Sequence, residues 1–253
     1  MAKNLLIDIG NTSVKWATSD AARSILTMHQ QQYPDSLNET FFTGLWDKES
    51  KPEKVLVSCV AGKYVWQTLD AAIQSLWDIK AQRVLSQAVG CGVINAYSHP
   101  SDLGSDRWCA LVGAFHAIDS DIMVVDCGSA ITIDMINQAG QHRGGYILPG
   151  TLMMKQSLGR ETAQVRVEAD SEKQTSLAPA KTTSGCVNAA VELAAVSFIE
   201  AAFKQQLKNL PSLICVLTGG DADLIADHLT IEYVMMPDVI LRGLAFIAER
   251  ESV

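Results

Sequence analysis

The sequence predicts an α/β protein made of two similar halves, and two observations carry that prediction. The first is a long-range repeat. "LLIDIGNTSVKWA", from Leu5, and "MVVDCGSAITIDM", from Met123, share an apolar run, an aspartate, one residue, a glycine and a small polar residue, then a second strand. Asp8 and Asp126 lie 118 residues apart in a chain of 253. The second observation is alternation: apolar runs of strand length are followed by segments of helical period. Two copies of one supersecondary unit predict two similar domains facing each other, residues 1–118 and 119–253.

The first half opens on three antiparallel strands with short turns, Leu5–Ile9, Ser13–Thr18 and Arg23–His29. Gln30–Pro52 is polar and mixed, with room for one helix. Lys54–Val60 reads as a buried strand. Lys63–Trp77 sets Val65, Leu69, Ala72, Ile73 and Leu76 on one helical face. Short strands follow at Arg83–Ser86 and Cys91–Ile94. "NAYSHPSDLGSDRW" (Asn95–Trp108) breaks the order with Pro, Gly and Ser, and a helix spans Asp106–Ile118.

The second half repeats the opening with strands at Asp121–Asp126, Ala130–Ile136 and Gln141–Pro149, then a tight turn into a helix. Thr183–Lys208 is a long helix whose Val187, Val191, Ala194, Phe198 and Ala202 keep to one face. Ser212–Leu217 is a strand, and "TGGDAD" turns from it into a helix. Pro237–Arg250 closes the chain as a helix with proline at its start.

Hydrophobic residues make up 48% and charged residues 19%, a core-forming balance. The net charge of −8 and the absence of a Lys/Arg block argue against a nucleic-acid partner. A nucleotide remains compatible, because backbone N–H groups and a metal ion can hold phosphate. No apolar run reads as a membrane span and no signal peptide is recognised, so no membrane association and a cytoplasmic location are expected. The six cysteines form no C-x-x-C pair and read as reduced thiols, mostly buried.

The repeated turn suggests a specific chemistry. A glycine after the strand lets backbone approach a ligand closely. Turn N–H groups with Asn11, Thr12 and Ser13 can surround phosphate oxygens. Asp8 would repel phosphate directly but can hold Mg²⁺ through water, and Lys15 can add a positive charge. Gly219 and Gly220 follow a buried strand and precede a helix, where a base or ribose can approach. For one copy alone, an ordinary hairpin turn is the better explanation of the pattern.

The order of motifs resembles the actin-like ATPase superfamily of sugar and acetate kinases and heat-shock chaperones. "DIGNTSVKWA" is similar to its first phosphate motif, "DCGSAITID" to its second and "LTGGDAD" to its adenosine motif. Together with "NAYSHPSDLGSDRW" and "GGYILPG", in a chain of this length, they closely resemble the type III pantothenate kinases. That resemblance implies two duplicated ribonuclease-H-like (actin-like ATPase) domains around a nucleotide cleft. It implies ATP contacts by Asp8, Ile9, Gly10, Asn11, Thr12, Ser13, Val14, Lys15, Ser129, Gly219 and Gly220. Asp106 would be the general base for the pantothenate hydroxyl, with Tyr97, Gly104, Ser105 and Arg107 contacting the same substrate. Arg107 suits a carboxylate or the transferred phosphate. Asp126 would bind a monovalent cation, K⁺ or NH₄⁺, and the enzyme would be a homodimer using Mg²⁺ and ATP.

One feature of that family has no match. Its substrate-binding threonine would fall near Ala178, where no threonine stands, and Ser176 or Thr182 are the available substitutes. Two other functions share the motifs: a kinase of this fold acting on a different small acceptor, and a nucleotide-binding regulator without turnover. Intact Asp8, Asp106, Arg107 and Asp126 argue against the regulator.

Overall fold

A computed structural model describes residues 4–20, 24–25, 27–161 and 176–250. The first part of the chain runs β1 (Asn4–Ile9), β2 (Ser13–Ser19), β3 (His29–Gln32), α1 (Glu39–Trp46), β4 (Val55–Cys59), α2 (Gly62–Trp77), β5 (Gln82–Arg83), β6 (Val89–Gly90), β7 (Val93–Ile94) and α3 (Ser105–Ala117). The remainder runs β8 (Ile122–Cys127), β9 (Ala130–Ile136), β10 (His142–Pro149), α4 (Thr151–Glu161), α5 (Thr183–Gln206), β11 (Ile214–Thr218), α6 (Ala222–Ala226), β12 (Tyr233–Met235) and α7 (Val239–Arg250).

The sequence repeat is a repeat of sheets. One five-stranded sheet has the order β3-β2-β1-β4-β5 and the other β10-β9-β8-β11-β12. In each, the central strand is antiparallel to the next strand in sequence and parallel to the one that follows a helical connection. Asp8 and Asp126 therefore occupy corresponding places near the ends of central strands β1 and β8.

Residues cluster into two compact units: 1–119 with 140–142 and 238–253, and 120–139 with 143–237. The expected boundary at 118/119 falls beside this division. The closing helix does not follow the expected partition. α7 packs along α3 and onto β1 and β4, in the first unit. Gly113 and Gly243 permit this, because a Cβ on either would collide with backbone of the facing helix.

Burial explains the strands. Leu5, Ile7 and Ile9 of β1 join Val55 and Val57 of β4 in a core with Phe42, Trp46, Leu69 and Ile73 of α1 and α2. In the second unit, Met123, Val125, Ile131 and Ile133 pack on Ala195, Val196, Ile199 and Phe203 of α5. α5 is also long and apolar enough to cross a membrane by length and composition alone, which the sequence reading missed. Over half of its most apolar window is buried among these core residues, as in the core helix of a globular unit.

Four local expectations change, the first being the strand expected at Arg83–Ser86, which is β5 at Gln82–Arg83. The third strand lies at His29–Gln32, not Arg23–His29; its four residues are all exposed, so no apolar period marks it. Arg23 and Leu26 lie outside the described residues. The expected strand Cys91–Ile94 is a hairpin, β6 and β7, turning through Cys91 at φ 51° and Gly92 at φ 79°. Both turn residues have the positive φ of a tight two-residue hairpin. β12 was not foreseen, and it too is an exposed strand at the end of its sheet.

Candidate active site

In the first unit, Asp8 is buried, 6% exposed, with Lys15 opposite it on β2 and Ser58 opposite it on β4. Cross-strand partners share a sheet face, so Lys15, Asp8 and Ser58 form one polar row. The turn beyond is closed by the Gly10 N–H donating to the Ser13 carbonyl at 3.1 Å. Asn11 and Thr12 at its tip are exposed, Gly10 and Ser13 half-buried, and Val14 packs into the core. Ile9 is buried too, so Ile9 and Val14 can offer a ligand backbone groups only.

Tyr33, which sequence reasoning missed, braces this turn. Its hydroxyl donates to the Gly10 carbonyl at 3.1 Å, and its N–H donates to Thr12 at the same distance. Burial, then the nearby Cys59 and Asp8, push its phenol above the usual range, so it stays a donor.

The Gly104–Arg107 motif sits at the start of α3. Ser105 is buried, and its hydroxyl lies 3.2 Å from Ser58 Oγ and accepts the Cys59 N–H at 3.2 Å. It thus ties α3 to β4 beside the Asp8 row. Asp106 follows, half-buried, with Oδ1 accepting the Arg107 N–H at 2.8 Å. A Cβ on Gly104 would lie 2.5 Å from that oxygen, so glycine leaves the carboxylate its space.

Arg107 is 7% exposed, and its Nη1 donates to Tyr97 Oη at 2.9 Å. Its guanidinium also lies 5.7 Å from the centre of the Tyr97 ring. Asn95 shapes this loop: its Oδ1 accepts the Tyr97 N–H at 3.0 Å and its Nδ2 donates to Gln87 and Pro100 carbonyls. Two residues singled out separately in the sequence, Tyr97 and Arg107, are thus in direct contact.

In the second unit, three loops meet. The turn after β8 is one residue shorter than the Gly10 turn: its Gly128 N–H donates to the Ala130 carbonyl, two residues on, at 3.1 Å. The Ser129 carbonyl accepts the Gly150 N–H at 3.0 Å, and a Cβ on Gly150 would lie 2.6 Å from that oxygen. The Asp221 N–H donates to the Cys127 carbonyl at 2.9 Å. Thr151 donates its hydroxyl to Asp221 Oδ2 at 2.5 Å.

Ser129, Gly219 and Gly220 are therefore brought together, and "GGYILPG" does more than turn a corner. Thr151 and Asp221 were missed. No spacing rule joins them, although Asp221 stood within the quoted "LTGGDAD". Asp126 is half-buried on β8 beside this turn.

No group of three or more His, Cys, Asp or Glu side chains able to hold a metal occurs among the described residues. Asp8 and Asp126 are single hard-oxygen donors, which fits ions held partly by water and phosphate rather than by a protein cage. Thr182, a suggested substitute for the missing threonine, caps α5 by accepting the Gly185 N–H at 3.1 Å. Ser176 accepts the Ala178 N–H at 3.2 Å.

Paired sheets of one order, each with a glycine turn after its central strand, define a protein of the actin-like ATPase and sugar-kinase fold. Solved structures agree. A Baf family protein from Campylobacter jejuni superposes with TM-score 0.59 at 22% identity, covering 98% of this chain and 100% of its own. A ROK family glucokinase from Streptomyces griseus, in complex with glucose and AMPPNP, gives 0.56 at 11% identity over 98% of this chain and 100% of its own. The family model for type III pantothenate kinase matches residues 4–205. A type III pantothenate kinase of Nitrosococcus oceani is 34% identical over 254 residues, 98% of this chain and 94% of that protein. This chain belongs to the type III pantothenate kinase family.

Proposed function

We propose that the protein transfers the γ-phosphoryl group of ATP to the primary hydroxyl of pantothenate, giving ADP and 4′-phosphopantothenate, the first step toward coenzyme A. Family membership supports this reading, and the observation that carries it is the half-buried Asp106 carboxylate beside the Arg107–Tyr97 pair.

Asp106 accepts the hydroxyl proton as the oxygen–phosphorus bond forms and the bond to the β-phosphate oxygen breaks. Arg107, held by Tyr97, provides the fork that receives the pantothenate carboxylate. Gly104 keeps the approach open. Ser105 acts by bracing Asp106 from behind, since its hydroxyl is bonded to Ser58 and Cys59.

The Gly10–Ser13 turn, with Lys15, receives ATP phosphates in the first unit. Ser129, Gly219 and Gly220 receive the nucleotide in the second. When bound, Mg²⁺ would be held through water by Asp8 and a monovalent cation by Asp126, and both supply positive charge to the phosphates.

The reading includes a cytoplasmic homodimer. The apolar residues of α5 are largely used inside the second unit. Ile147 on β10, Leu152 and Met153 on α4 and Leu193 on α5 remain exposed, and these support self-association better.

The test is ADP release, coupled to a reporter, with and without pantothenate, in K⁺ and in Na⁺. Pantothenate-dependent turnover is expected, and it should be higher in K⁺. Turnover with a different acceptor alone would make this a kinase of another substrate. Nucleotide binding with no turnover would make it a regulator.

A further inference from the structure

We infer that His142 is a positioning residue that holds Tyr97, and through it Arg107, in place for the acceptor; this rests on the reading that Tyr97 and Arg107 bind pantothenate. His142 comes from a distant stretch of chain, yet is 4% exposed. Its ring lies against Tyr97 with centroids 6.0 Å apart and planes 14° from parallel. Its Nδ1 accepts the N–H of Ala96 at 3.3 Å, so the ring also holds the backbone that enters Tyr97.

The segment carrying His142 is itself fastened to this loop. The Gly140 carbonyl accepts the Ile94 N–H at 2.8 Å, and Gln141 forms a bridge with Ile94. Gly140 has φ +78°, and a Cβ there would collide with the Gly92 carbonyl, so a larger residue would push the segment away. Two contacts set the backbone, and the imidazole then reaches Tyr97.

The consequence for the site is geometric. Tyr97 Oη is the atom to which Arg107 donates at 2.9 Å. Tyrosine has only two side-chain torsions, and a ring packed on one side by imidazole gives its hydroxyl a narrow range. A guanidinium that must match a carboxylate in two places depends on that range. His142 touches neither substrate nor reacting atoms in this scheme.

The test uses the full-length protein and three variants. His142→Ala removes both contacts. His142→Phe keeps a stacking ring and loses the acceptor. His142→Asn keeps an acceptor near the Nδ1 position and loses the ring. The expected result for His142→Ala is a pantothenate KM raised about 10-fold, with the KM for ATP unchanged and kcat within about 3-fold. His142→Phe and His142→Asn should each recover part of that loss.

In a double-mutant cycle, His142→Ala should add less than about twofold to Tyr97→Phe, because both act through one hydroxyl. Additive effects overturn the proposal. So does a pantothenate KM that stays at the wild-type value in His142→Ala, whatever happens to Tm, because His142 would then be structural only. Failure of the parent reading is separately visible: the wild type would itself show no pantothenate-dependent ADP release.

Discussion

Thr151 and Asp221, 70 residues apart in sequence, share a 2.5 Å hydrogen bond that joins the start of α4 to the turn after β11. The Asp221 N–H is bonded to Cys127 and the Gly150 N–H to Ser129. The pair thus closes a ring of three loops around the second glycine turn. The glycines make the approach possible, and the Thr151–Asp221 bond holds it.

Thr151→Val keeps the shape of the side chain and removes the donor. The variant should lose about 1–2 kcal/mol of stability, since Asp221 is left without it in a half-buried place. If this turn receives the nucleotide, the KM for ATP rises several-fold while that for pantothenate stays the same. Steady-state kinetics with each substrate varied in turn reads both numbers, and an equal rise in the two would remove the nucleotide assignment.

The two glycines of "LTGGDAD" should part company on substitution. Gly219 has φ +101°, and a Cβ there would lie 2.5 Å from Cys127 N. Gly219→Ala should cost about 3 kcal/mol from strain and overlap. A Tm fall of about 6–12 °C follows for a chain of this size. Gly220 has no atom within 4 Å of its added Cβ. Gly220→Ala should therefore leave stability within about 0.5 kcal/mol, and any effect should appear in the KM for ATP. Thermal melts of the two variants decide the structural half of this prediction.

Asp106→Asn retains an oxygen for the Arg107 N–H, so the start of α3 should keep its form. Turnover should fall by about 10²–10⁴-fold if the carboxylate takes the hydroxyl proton. Nucleotide binding, followed by calorimetry, should be unchanged. Near-normal turnover would move the base elsewhere.

The duplicated fold could be read from "LLIDIGNTSVKWA" and "MVVDCGSAITIDM" because both central strands are buried on both faces, which leaves long apolar runs. β3 and β12 could not, because exposed strands at sheet ends carry no such pattern. α7 sits in the first unit through Gly113 and Gly243, and a glycine in a helix does not announce which helix it admits. The site divides in the same way. Asp8, Asp106 and Asp126 stand in short motifs. Tyr33, Asn95, His142 and Thr151 act through hydrogen bonds across 21 or more residues of sequence or by shaping one loop, which no local pattern encodes.

Two carboxylates on α5, two turns apart, respond to pH in opposite senses. Glu192 is buried beside Lys155 Nζ at 3.7 Å, and burial raises its pKa despite that lysine. Glu200 accepts bonds from the Thr230 hydroxyl at 2.6 Å, from the Thr230 N–H at 2.8 Å and from Lys204 at 2.9 Å. Those bonds, the Thr230 hydroxyl first, lower its pKa to about 2. A carboxylate lowered on folding stabilises the protein fully above its unfolded pKa of about 4.3 and loses that contribution as pH falls toward the folded value. Glu192 runs the other way, its contribution being lost as pH rises through its raised value. The Tm gap between wild type and Glu200→Gln should therefore be constant from pH 7 to 5.5, narrow below about pH 4.3 and close further toward pH 3. Thermal melts at pH 7, 5.5, 4 and 3 measure it, and a gap of constant size across that range would show that Glu200 is held by something other than its charge.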